Sequence, residues 1–301
     1  MKKIILAENL ETLGEKYESE HLSIWKKNQL QTDSWFALKF FFYHSFMRGR
    51  RDKLSVEYYT FTVSVLKKYF DTNNLASELK KANDFNLFNT DNIRKLKKIK
   101  RNSIKHRDFG TEVKDKNSLV SILTTEIKIE QEFPKGYHYN KTICLQNDID
   151  LLMVLDTLNF ISEALEKQNI YNYFYNLIAS GNIGSAHNEL IKLSGVGDKL
   201  STFFLRDIAI INRSNITAEQ IEFVFPVDTW VAQITNLISG KIENRFSAEN
   251  PDEIKDFYIK NFSNSNFPLI AAGLWYLGYY SLDFAFNYAK EYKIVNKQKN
   301  E

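Results

Sequence analysis

The chain has 301 residues and a formal net charge of +3, from 40 Lys and Arg against 37 Asp and Glu. That length suffices for one large globular unit or two lobes with cores of their own, and 44% hydrophobic with 26% charged residues is the balance of an ordinary soluble protein. Eleven Gly and four Pro argue for long helices over a turn-rich β architecture, and the single cysteine, Cys144, excludes an intramolecular disulfide and any four-cysteine zinc or iron–sulfur site.

The N-terminal residues Met1–Leu13 carry two lysines and a short apolar stretch, too short for a signal peptide or a membrane span. A cytoplasmic protein without a membrane partner is the expectation. Thr32-Asp33-Ser34 reads as a helix start. The run Trp35–Met47 is apolar nearly all round, which predicts a buried helix. Ser55 is expected to cap the next helix, which carries Tyr58, Tyr59, Phe61, Val65 and Leu66 to about Tyr69. Between Arg94 and Arg107 lie eight Lys or Arg residues and no acid. Such a run is usually a solvated helix face, with a backbone-tracking patch as its other reading. Residues 108–145 fit two patterns. Ile127 and Ile129 alternate with Lys128 and Glu130, as in a strand, whereas Leu119, Ile122, Leu123 and Ile127 have helical spacing, and periodicity leaves both open.

From Asp148 the pattern is helical again. Leu151, Leu152, Leu155, Leu158, Ile161 and Leu165 recur at three and four residues, followed by helices over about Ile170–Ala179 and Ile183–Lys192. A glycine-containing turn, Leu193-Ser-Gly-Val-Gly-Asp-Lys199, leads into a helix over Leu200–Ile211. Thr217-Ala-Glu-Gln220 fits a capping box for a short helix ending near Phe225. Phe225-Pro-Val-Asp228 breaks the chain before a helix from about Thr229, which Asp228 would cap. Asn250-Pro251 opens another helix with proline at its first position, and Leu269–Tyr288 is the last strong one. The fold class expected is mostly α.

The turn at 193–199 carries the chemistry. Two glycines flanking one apolar residue let the chain reverse tightly. The helix that follows presents its N-terminal N–H groups and the positive end of its dipole, a site for phosphate that reads no sequence. Gly195, Val196 and Gly197 are therefore candidate DNA-backbone contacts. Lys199 stands at the same helix start, where partial desolvation and the dipole would both favour the neutral, nucleophilic amine.

These residues resemble the helix-hairpin-helix motif, and together with Phe225-Pro-Val-Asp-Thr-Trp-Val231 they resemble the helix-hairpin-helix DNA glycosylase superfamily over about Ile183–Ile234. The resemblance implies a two-lobed helical fold with a central cleft. In it, residues 32–107 and 148–238 would form the part carrying the hairpin (183–211) and the aspartate loop (225–231). Residues 1–31 with 239–301 would form a second lobe, and 108–147 a small β or irregular insertion. It implies a bifunctional DNA glycosylase and abasic-site lyase of base excision repair, with Lys199 as nucleophile and Asp228 stabilising the sugar's developing positive charge. The substrate would be double-stranded DNA holding a damaged base, flipped from the stack before excision.

Further residues follow from the same resemblance. Arg48, Arg50 and Arg51 would meet phosphates. His44 and Phe46 from the early helix, with Trp275 and Tyr276 from the late one, would line the base pocket. The main-chain carbonyls of Ile191, Leu193 and Val196 would hold a K+ or Na+ ion, with no other cofactor, and the protein would act as a monomer. The interval of 29 residues between Lys199 and Asp228 leans toward the archaeal-type 8-oxoguanine glycosylases, making 8-oxoguanine the first-choice lesion. Trp230 departs from a position often held by histidine. Two other readings keep the same motif: a glycosylase for another modified base without lyase action, and a non-catalytic DNA-binding protein in which Asp228 is only a cap.

Overall fold

The computed structural model describes residues 2–47, 52–70, 72, 74–84, 123, 127–133, 137–143, 145, 148–165, 168–240 and 245–281. The fold is mostly α, as its sequence pattern predicts. By contact density the chain forms two compact units, one of residues 25–204 and one of residues 1–24 with 205–301.

In the unit of residues 25–204 the helices are Lys27–Thr32, Ser34–Ser45, Asp52–Phe70, Leu75–Asp84, Asp148–Ala164, Ile170–Ala179, Ile183–Ile191 and the first half of Asp198–Asn212. Helix Ser34–Ser45 starts where the sequence signals it. The Asp33 carboxylate accepts the N–H groups of Trp35 and Phe36 at 2.8 and 3.0 Å, satisfying donors that the first helical turn leaves over. Ser55 does not cap the next helix. That helix begins at Asp52, and the buried Ser55 hydroxyl donates instead to the Phe46 carbonyl at 3.2 Å, tying the helix to the end of its predecessor. Asn169 caps helix Ile170–Ala179 by accepting from the Asn172 N–H and donates its amide to the carbonyl of Leu30 at 2.9 Å. The core is aromatic. Phe40, Phe41 and Phe174 converge on Phe204 with ring centres 5.2–5.6 Å apart, all of them fully buried. Of the ambiguous stretch, Ile127–Phe133 and Tyr137–Ile143 pair as an antiparallel two-stranded ribbon, Ile127 opposite Ile143. The alternation at Ile127 and Ile129, not the helical spacing, describes these residues.

The other unit contains helix Lys2–Tyr17, a π-helical turn Glu18–Leu22, the second half of Asp198–Asn212, a 3₁₀ turn Ala218–Phe223, helices Thr229–Ser239 and Pro251–Asn261, and a helix over 267–281. The capping box is present at Thr217 and Gln220. Leu10, Phe225, Val231, Ile254, Tyr258, Phe267, Ile270 and Leu274 form the core. Helix Lys2–Tyr17 and helix 267–281 touch backbone to backbone through glycine. A methyl group on Gly14 would stand 2.2 Å from the Leu269 carbonyl oxygen, and one on Gly273 would stand 2.0 Å from that of Leu10. Only a residue without Cβ permits that approach. Among the described residues no helix is long and apolar enough to cross a membrane.

Candidate nucleic-acid interface

The hairpin forms as its glycines demand. Helix Ile183–Ile191 ends, the Leu193 N–H bonds the Leu190 carbonyl at 3.0 Å, and a turn closes with Val196 N–H to Leu193 carbonyl at 3.1 Å. Gly195 has φ +74°, a conformation that costs a residue with a side chain about 1–2 kcal/mol. Leu193 and Val196 are buried and anchor the turn, while Gly197 is exposed with open space above its Cα. Helix Asp198–Asn212 follows at once, its Ser201 N–H bonding the Gly197 carbonyl at 3.0 Å. Two side-chain ties brace the hairpin. His187 Nε2 and Asp198 Oδ1 lie 2.9 Å apart across its two helices, and Ser194 donates both its N–H and its hydroxyl to Asp156.

Lys199 is the second residue of that helix and is exposed, with Nζ 5.7 Å from the ring centre of Phe203, one turn on. The amine is thus exposed, where the sequence reading expects partial burial. Gly195, Val196, Gly197 and Lys199 stand on one turn, as do Ile191, Leu193 and Val196. Ile191 ends helix Ile183–Ile191, where carbonyls lack intrahelical donors, whereas Leu193 and Val196 lie in the turn beyond it, and the Leu193 carbonyl already accepts the Val196 N–H. Arg48, Arg50, Arg51 and the basic run 94–107 lie outside the described residues.

Asp228 belongs to the unit of residues 1–24 and 205–301, whereas Lys199 belongs to the other. Asp228 is 9% exposed, has extended backbone (φ −126°, ψ −174°) and caps helix Thr229–Ser239 through Oδ1, which accepts the Val231 N–H at 3.0 Å. Phe225, fully buried against Tyr258 with ring centres 5.0 Å apart, fixes the approach to Pro226. Trp230 is half-buried beneath Gly278, where an added Cβ would come within 2.6 Å of the Trp230 Cβ.

The four base-pocket candidates fall into two settings. His44 and Phe46 are packing residues. His44 is 3% exposed, its Nδ1 2.9 Å from the Phe40 carbonyl and its ring against Phe40, Tyr43 and Phe204, while Phe46 is enclosed by Phe42 and Tyr58. Their apolar helix spacing already signals a core. Trp275 is half-buried and stacks on the exposed Tyr279 at 4.8 Å and 14°. Tyr276 is buried and donates to Glu20 at 2.9 Å. Burial, and then that hydrogen bond to a carboxylate, push its phenol up to about 12.

Around these two side chains the structure gathers a residue to which the sequence assigns no role. His21, on the π-helical turn, stacks on Tyr17 at 5.1 Å and meets Trp275 and Tyr276 edge-on at 5.6 and 6.5 Å. Beneath Tyr17 lies a fully buried pair. Arg206 bonds Asp207 at 2.7 Å through Nη2 and holds its guanidinium 4.6 Å from the Tyr17 ring centre, while the Tyr17 hydroxyl donates to Asp207 at 2.8 Å. No short sequence signal links residues 17–21 to 206–207 and 275–276. Two cavities are described in this unit, one of about 380 Å³ bordered by Glu8, Glu11 and residues 261–265 and one of about 280 Å³ bordered by residues 213–216 and 264–268, and neither contains a candidate residue. Among the described residues no group of three or more His, Cys, Asp or Glu could hold a metal ion.

No family model matches the chain, and no solved structure matches it. A stretch of 102 residues is 31% identical to the uncharacterized protein MJECL21 of Methanocaldococcus jannaschii, covering 33% of this chain and 24% of that protein. The matched stretch thus spans about a quarter of the archaeal relative's length.

Proposed function

We propose that the protein is a helix-hairpin-helix DNA glycosylase with abasic-site lyase activity, acting on duplex DNA that holds an oxidised purine, 8-oxoguanine first. The observation that carries the reading is the hairpin, with Gly195 at φ +74° and an exposed lysine in the first turn of the helix that follows. A helix N-terminus after a glycine turn suits a DNA phosphate, and an amine held there is within reach of the sugar next to it. The buried Asp228, fixed as an N-cap, supplies a second group of the required chemistry with its carboxylate oriented by its own helix. The reading requires both groups to act on the same nucleotide.

The chemistry divides as follows. The Lys199 amine attacks C1′ of the flipped nucleotide, the N–C1′ bond forms, and the glycosidic bond breaks with its electron pair leaving on the base. Asp228 stabilises the positive charge that develops on the sugar. The adduct loses a proton from nitrogen and opens its ring to a Schiff base. Loss of a C2′ proton expels the 3′-phosphate and nicks the strand, and water then releases the lysine. Desolvation of the exposed amine falls to the bound nucleotide. Of the four proposed base-pocket residues Trp275 is the least enclosed, since His44, Phe46 and Tyr276 are buried. A monovalent cation on the carbonyls of Ile191, Leu193 and Val196 would add positive charge beside the backbone phosphate.

Borohydride reduction in the presence of duplexes containing 8-oxoguanine or an abasic site tests the reading. A covalent adduct formed by the native protein and absent from Lys199→Gln is the expected result. Base release without nicking, at a rate indifferent to Lys199→Gln, would instead mark a glycosylase without lyase action. Salt-dependent duplex binding with no product from any lesion would mark a non-catalytic binder.

A further inference from the structure

Ser194 occupies the second position of the turn Leu193–Val196, whose third position is Gly195 at φ +74°. Positive φ at the third position is the type II arrangement, and the turn's own hydrogen bond engages only its first and fourth residues. Here the corner is gripped from outside the turn. The Ser194 N–H and hydroxyl both donate to Oδ2 of Asp156, at 2.8 and 2.6 Å. Asp156 stands on helix Asp148–Ala164, which is seated in its unit by the fully buried Val154 and Leu158. Both partners of the tie are half-buried. Bonds to an ionised carboxylate are shorter and stronger than neutral ones, and two donors on one oxygen fix the corner in orientation as well as position.

We infer that Asp156 is a positioning residue for the hairpin: its carboxylate sets the turn through which the chain enters helix Asp198–Asn212, and so aims the helix start and Lys199. The geometry of the tie stands by itself, while its consequence for DNA rests on the function proposed above. A tie at Ser194, just ahead of the backbone amides of Gly195, Val196 and Gly197, would act on binding more than on chemistry, because phosphate contacts set register. The turn also offers a way to replace the tie. Proline suits the second position of a type II turn, presets its φ and has no N–H to leave unsatisfied.

The test uses the full chain as native protein, Asp156→Ala, Asp156→Asn, and Asp156→Ala combined with Ser194→Pro. Two quantities are read: amide hydrogen exchange in the free protein, and affinity for an undamaged duplex. Asp156→Ala is expected to accelerate exchange at residues 193–199 but not in helix Ile170–Ala179, and to weaken duplex binding roughly tenfold, the equivalent of one bond to a charged group. Its KM for a lesion duplex rises more than its kcat falls. Asp156→Asn, which keeps an acceptor oxygen, falls between the two. The double variant regains duplex affinity to within about threefold of native, the residual being the lost charge-assisted bonds. Native-like hairpin exchange and duplex affinity in Asp156→Ala would overturn the inference, as would a folded double variant that binds no better than Asp156→Ala. Accelerated hairpin exchange in Asp156→Ala, beside a native protein that binds no duplex, would keep the positioning role and bring down the glycosylase reading instead.

Discussion

Replacing Gly273 by alanine tests the packing that joins the chain's N-terminal helix to its last described one. The new methyl would lie 2.0 Å from the Leu10 carbonyl oxygen and 3.0 Å from its carbon, with the backbone nitrogen of Gly14 at 3.1 Å. These are backbone atoms of a neighbouring helix, so no side chain can rotate away and the helices must separate by about an ångström. Overpacking of this kind costs about 3 kcal/mol, against about 1 kcal/mol regained because alanine is the better helix former. The net loss of about 2 kcal/mol should lower the thermal midpoint by about 3 °C in a protein of this size. Gly14→Ala meets Leu269 across the same pair of helices at 2.2 Å, so separation by one substitution relieves the other. A double-mutant cycle should therefore give a combined loss smaller than the sum by at least about 0.5 kcal/mol. Gly273→Ala as stable as the native protein in scanning calorimetry, or strictly additive singles, would show that the two helices do not touch through these glycines.

Other substitutions probe the remaining supports. Asp207→Ala strands the Arg206 guanidinium, which has no exposure at all, and should cost about 3–5 kcal/mol in urea unfolding, whereas exposed Lys192→Ala, removing a surface pair with Glu189, should cost under ~1 kcal/mol. Asp228→Ala removes the N-cap and should cost about 1 kcal/mol, while Asp228→Asn keeps the cap and the stability; loss of base release in the stable Asn variant is the outcome the catalytic role requires. Tyr276 should ionise near pH 12 in ultraviolet titration, above the ordinary value of 10.0, through burial and then its bond to Glu20. Because its folded value is raised, its contribution to stability is complete below pH 10 and is lost as pH rises toward 12, and Glu20→Gln should move the titration downward.

Much of the helical layout was legible because its signals are local. Asp33, Thr217 with Gln220, Asp228 and Pro251 each mark a helix start by satisfying or lacking N–H groups within three residues, and each start lies where its signal stands. Ser55 misled because a cap and a serine reaching back to an earlier carbonyl look alike in sequence. The charges of helix Lys2–Tyr17 obscure its pattern, although Ala7, Leu10, Gly14 and Tyr17 have the spacing of one buried face. Residues 119–130 fit a helical and a strand period, and strand pairing, a long-range property, claims those from Ile127 on.

The hairpin was equally readable, since Gly-Val-Gly encodes its own turn. Its bracing by Asp156, 38 residues away, was not. The assembly of His21, Tyr17, Arg206 and Trp275 depends on contacts separated by up to 258 residues, for which one sequence carries no pairing signal. Phe46 and Trp275 are both base-pocket candidates by resemblance, and burial separates them.

The proposed lyase chemistry bonds one amine, Lys199, to the sugar of a damaged nucleotide. Proteolysis of the borohydride-reduced complex followed by mass spectrometry locates that bond. The expected result is the deoxyribose remnant on the peptide containing Lys199 and on no other lysine. A remnant on a different residue, or complete base release with every lysine unmodified, would contradict it.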